Sequence, residues 1–106
     1  MPRFRLDFTY TADGVRGLLK EGGTARREAT TKFAESVGAR VEAYYFAFGT
    51  TDGFVIVDAP DSASAAALSL IPSATGAVTV KTTVLLTAEE MDDAVRKHGD
   101  FRAPGT

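Results

Sequence analysis

The chain has 106 residues, enough for one domain and too few for a second independent core. Hydrophobic residues make up 44% and charged residues 25%, with a formal charge of −2; this excludes a disordered tail or a collagen-like fibre and gives no general attraction to nucleic acid or to an anionic membrane. Cysteine is absent, which removes disulfides, thiolate zinc sites, iron–sulfur clusters and thiol catalysis together.

Taken in chain order, Phe4, Leu6, Phe8 and Tyr10 alternate with Arg3, Arg5, Asp7 and Thr9, the period-two signature of a half-buried strand. Asp13-Gly14 reads as a turn. Val15, Leu18 and Leu19 then fall at helical spacing, and Gly22-Gly23 breaks the run. Thr24 is placed to cap a second helical piece with an apolar stripe of Ala25, Ala29, Phe33 and Val37, stopped by Gly38. Val41–Phe48 and Phe54–Val57 form a hairpin around Gly49–Gly53, and the second of these runs, wholly apolar, is expected to be covered on both sides. Asp61 or Ser62 opens an alanine-rich helix through Leu70-Ile71, which Pro72 should end. Val78–Leu86 alternates again. Thr87-Ala88-Glu89-Glu90 is a capping box for a last helix with a Met91, Ala94, Val95 stripe.

The resulting order, β-α-β-β-α-β-α, predicts an α+β, ferredoxin-like βαββαβ sandwich with an extra C-terminal helix. Residues 1–99 make the single domain, and 100–106 are expected to form a flexible tail. In this topology the first and last strands are neighbours, and the helices cover one face of the sheet only. The other face should carry Arg5, Asp7 and Thr9, then Lys81, Thr83 and Leu85. The hairpin should add either Tyr45 with Val41 or Tyr44 with Phe46 and Phe48. Bare apolar area on that scale is unusual for a monomer, so the pattern predicts self-association, with two sheets facing each other as in a dimeric α+β barrel.

A mixed face of this kind suits a ligand lodged between sheets, with Arg5, Asp7 and Lys81 as polar contacts and Tyr44 or Tyr45 as a stacking wall. The plainer alternative is a wet face on which those charges pair across strands. Arg26 and Arg27 sit at a helix N-terminus, where they oppose the macrodipole; an anionic ligand or a neighbouring carboxylate would explain them. The single histidine, His98, is too few for a histidine metal site, and it would act as a base only under a tail folded over a cavity. The acidic pairs Glu89-Glu90 and Asp92-Asp93 are accounted for by capping, so no metal and no cofactor is expected. Serine-hydrolase spacing is absent.

Several ordered blocks resemble the GYD domain family of small bacterial and archaeal proteins: Gly17–Gly23 with Arg26-Arg27, Tyr44–Gly49, Val55–Asp61, Lys81–Thr83 and Leu86–Asp92. The likeness runs from about Phe8 to Val95. The family signature, Gly-Tyr-Asp, corresponds here to Gly49-Thr50-Thr51-Asp52, with Thr51 where the aromatic is expected, so a role resting on that tyrosine does not carry over. The resemblance implies the dimeric α+β barrel architecture and no established activity.

These readings lead to an oligomeric protein that holds a partly apolar, anion-compatible small molecule, with Arg5, Asp7, Tyr44, Tyr45, Lys81, Arg26 and Arg27 as ligand contacts. The alternatives are a cofactor-free oxygenase or isomerase, with Asp7, Glu42 and Tyr44 as catalytic candidates, and a structural or regulatory assembly subunit. The expected partner is the chain itself, as a homodimer or higher homo-oligomer, with no nucleic acid or membrane. No apolar run approaches the ~20 residues that cross a bilayer, and the charged start of the chain lacks a secretory apolar region, so the expected location is cytoplasmic.

Overall fold

Alternation along the first run produces strand β1 (Arg3–Tyr10) in the computed structural model, which describes all 106 residues. Helix α1 (Ala12–Glu21) and helix α2 (Gly23–Ser36) follow, separated at Gly22, whose φ of 84° ends the first helix. Strands β2 (Arg40–Phe46) and β3 (Gly53–Asp58) make the hairpin, and helix α3 (Ser62–Ala74), strand β4 (Val78–Leu85) and helix α4 (Ala88–Val95) complete the chain. The four strands pair antiparallel in the order β2-β3-β1-β4. First and last strands are therefore neighbours, and the architecture is the ferredoxin-like α+β fold expected from the element order.

The core lies between the sheet and the helices. Phe4, Leu6 and Phe8 of β1 and Val55 and Val57 of β3 pack with Ala34 of α2 and Ala65 and Leu68 of α3. Small side chains on the helices let them approach the sheet closely. The closest approach is at Gly14, where a Cβ would sit 2.0 Å from the carbonyl oxygen of Ala77. Only glycine fits that crossing, which is pinned by Thr11 donating its N–H to Ala77 and its hydroxyl to Gly76 at 3.0 and 2.8 Å.

Several local expectations are corrected. Asp13-Gly14 is not a turn but the first turn of α1: Thr11 accepts the N–H of Gly14, and Asp13 complements the helix N-terminus. Leu19 is exposed because the inward row of α1 runs through Gly14, Gly17, Leu18 and Glu21. Thr24 does not cap α2, which begins at Gly23 with no side-chain cap. The stripe of α2 is also rotated. Ala25 and Ala29 face solvent, while Arg26, Thr30, Phe33 and Ala34 face the sheet; alanine methyls bury too little area to fix a helix's rotation against a phenylalanine. Pro72 does not stop α3, which runs on to Ala74, since a proline in the last turn removes a single backbone bond.

The hairpin alternation fails at one place. Val41 pairs with Val57, but Ala43 pairs with Ile56, so Glu42 is the extra residue of a β-bulge. The bulge turns Val41 and Tyr44 to the same, helix-covered side and leaves Tyr45 on the other. Neither alternative set survives intact. Val55 and Val57 are buried as expected, but Phe54 and Ile56 are only half-buried, because no layer of this chain lies over the second face.

Helix α4 carries its capping box, with Thr87 and Glu90 bonded reciprocally, yet none of its residues is buried. Met91 and Val95 of its apolar stripe are 50% and 74% exposed, so the stripe has no partner within the chain. No helix is long and apolar enough to cross a membrane.

Candidate functional site

The aromatic side chains on the helix-covered side of β1 and β2 form a wall centred on Phe8, whose ring lies 5.4 Å from Tyr10, 5.6 Å from Tyr44 and 6.0 Å from Phe46. Beside this wall α1, α2 and α3 do not close completely on the sheet. They leave a partly open cavity of about 470 Å³, within the size range of small-molecule sites. Phe8, Leu6, Phe33, Leu68, Val78 and Val80 supply an apolar floor and sides.

The polar groups at the cavity come from the inward rows of the two leading helices and from the aromatic wall. Arg26 and Thr30 stand one turn apart on α2, and Asp13 and Glu21 lie on α1. Nη1 of Arg26 is 3.0 Å from Oε1 of Glu21, a pair that spans the Gly22-Gly23 break, and both side chains are about 40% exposed. Asp13 is paired with Arg16. Burial raises the pKa of the Tyr10 phenol well above its ordinary value; the neighbouring Tyr44 phenol adds to the rise and Arg26 opposes it. Tyr10, Tyr44 and Arg26 all line the same cavity. A second, smaller depression beside Tyr44 is lined by Gly23, Thr24, Arg27 and Phe46.

The site residues expected from sequence divide between the two faces of the sheet. Tyr44 and Arg26 line the cavity, and Arg27 the adjacent depression. Arg5, Asp7, Tyr45 and Lys81 lie on the uncovered face. There Arg5 pairs with Asp7 at 3.0 Å and lies 4.2 Å above the ring of Phe54, which in turn packs on Tyr45; Lys81 is opposite Asp7 in the strand register. Glu42 is held at 2.9 Å by Arg3. The three catalytic candidates do not converge, because Asp7 and Glu42 are on the uncovered face and Tyr44 is on the covered one. His98 is exposed beyond α4.

Sequence reasoning missed Tyr10, Thr30 and Glu21. The i, i+4, i+7 row Arg26, Thr30, Phe33 carries the signal, but two of its three members are polar, so a search for an apolar stripe passes over it.

The residues that build this cavity and its supporting hairpin fall within one family match, a GYD domain model over residues 6–95. The chain belongs to the GYD domain family. Neither curated proteins nor solved structures give a match. Within this GYD domain the stretch Gly49–Asp52 lies in the turn between β2 and β3. Its aspartate has a structural role: Asp52 accepts the N–H of Tyr10 at 2.7 Å and donates its own N–H to the carbonyl of Phe8 at 2.9 Å. Thr51 is half-buried in the same turn.

Proposed function

We propose that this GYD domain is a self-associating binding protein that takes a small, largely apolar molecule into the cavity between its helices and its sheet. The observation that carries this reading is a cavity of about 470 Å³ with an aromatic wall and a few polar groups gathered at Arg26 and the tyrosines; apolar lining with sparse convergent polar groups is the usual makeup of a small-molecule site. This moves the ligand from the inter-sheet space to the helix side, where Tyr44 and Arg26 are.

Self-association draws on the other face. Tyr45, Phe54 and Ile56 lie there without a covering layer, and Met91 and Val95 of α4 are likewise unpartnered. A second copy that covers these groups would remove apolar area from water. The cofactor-free enzyme reading has less support, since Asp7 and Glu42 are each already engaged by an arginine.

Calorimetric titration with 1-decanol tests the cavity. One molecule per chain is expected. Gly17 lines the cavity and has open space where a side chain would begin, so Gly17→Leu should fill the cavity and abolish binding while the protein stays folded. Unchanged binding by that variant, or none by the parent protein, removes the reading.

A further inference from the structure

We propose that the ligand of this cavity is a monocarboxylate with an apolar body, and that its carboxylate takes the place of Glu21 on Arg26. The inference rests on the cavity being the ligand site.

Arg26 is the one cation lining the cavity, and it stands on the inward row of α2. Its partner Glu21 comes from the end of the preceding helix, five residues back, and the two are held by a single 3.0 Å contact with about 40% of each side chain exposed. Such a pair contributes little to stability, so exchanging one carboxylate for another is inexpensive. Inside the cavity mouth, a ligand carboxylate would meet the guanidinium against apolar walls, where a charge-assisted hydrogen bond is stronger than at the open surface. Tyr10 and Tyr44 line the same cavity as Arg26, so their phenol hydroxyls are available there as further donors. The remaining carboxylate at the rim, Asp13, is committed to Arg16. Apart from the neutral hydroxyls of Thr30 and Thr75, the rest of the lining is apolar, which suits an alkyl or aryl body and gives a second charge no counterpart. Glu21 thus serves as a resident placeholder: it neutralises Arg26 in the empty protein and swings away when a carboxylate enters.

The test compares decanoate with 1-decanol by calorimetry on the full chain and on Arg26→Gln, Glu21→Gln and Gly17→Leu, with circular dichroism to verify folding. Decanoate should bind the parent protein about tenfold or more tighter than decanol, the effect of one charged hydrogen bond. Arg26→Gln should erase that preference, bringing decanoate down to the affinity that the same variant shows for decanol. Glu21→Gln should tighten decanoate severalfold, because the competing carboxylate is gone. A purely structural ion pair would make the two variants behave alike, whereas the exchange requires opposite signs. Equal affinity for the two probes, or a decanoate preference that persists in Arg26→Gln, overturns the carboxylate assignment and leaves the cavity standing. If neither probe binds the parent protein, the cavity reading itself fails, and this inference with it.

Discussion

The carboxylate of Asp52, at the tip of the β2–β3 hairpin, accepts the backbone N–H of Tyr10 at 2.7 Å and so ties that tip to the end of β1. Tyr10 is thereby fixed at the cavity rim by a residue 42 positions away in sequence. Asp52→Ala should cost about 2 kcal/mol, the effect of removing a charged acceptor from a half-buried N–H, and lower the thermal midpoint by roughly 10 °C. Asp52→Asn, which keeps an acceptor oxygen, should lose less than half of that. Equal loss in the two variants would show that the hydrogen bond is not what Asp52 contributes.

Two glycines of α1 should respond oppositely to alanine. At Gly14 a Cβ collides with the Ala77 carbonyl oxygen, so Gly14→Ala should destabilise by about 3 kcal/mol, since backbone on both sides must shift. Gly17 has nothing within 4 Å of the same position, so Gly17→Ala should stabilise by about 0.5–1 kcal/mol through helix propensity alone. Urea unfolding midpoints of the two variants provide the comparison.

Asp58, nearly buried, is held by Arg40 at 2.9 Å and Arg3 at 3.2 Å. The hydrogen bond from Arg40, with that from Arg3, keeps its pKa below the ordinary carboxylate value of 3.8 against the opposing effect of desolvation. A depressed carboxylate stabilises fully above its unfolded-state pKa, and that stabilisation is lost as pH falls towards the folded-state value. The stability gap between the parent protein and Asp58→Asn should therefore be constant above about pH 5 and shrink below about pH 4. Thermal melts across that range test it; a gap that widens on acidification contradicts the ion-pair account.

The Tyr10 phenol behaves in the reverse sense. Its pKa is raised above the ordinary 10.0, mainly by burial, so the fold keeps its full stability below that value and loses it as pH climbs beyond it. With three tyrosines and no tryptophan in the chain, phenolate absorbance reports directly. One tyrosine should ionise only together with unfolding, and Tyr10→Phe should remove that late step.

Tyr45 is 62% exposed on the uncovered face, so replacing it disturbs the single chain little. Tyr45→Glu should shift sedimentation from dimer or higher oligomer to monomer, with the thermal midpoint of the monomer nearly unchanged. A parent protein that sediments as a monomer at micromolar concentration would remove self-association from the proposed function.

Element order, the ferredoxin-like α+β fold, the adjacency of first and last strands and the capping box of α4 are all legible in the residues alone. Each of these follows from local periodicity or from a short-range hydrogen-bond pattern carried by neighbouring residues. Where the polar groups gather depends instead on how the elements pack against one another. Alternation could not reveal that Glu42 bulges out of β2 and turns Tyr44 inward and Tyr45 outward, because a bulge depends on the register against β3. Helical spacing could not reveal that α2 presents Arg26 and Thr30 rather than Ala25 and Ala29 to the sheet, because the alanine stripe binds too weakly to fix the rotation, and the packing of Phe33 and Ala34 over β2 and β3 sets it instead.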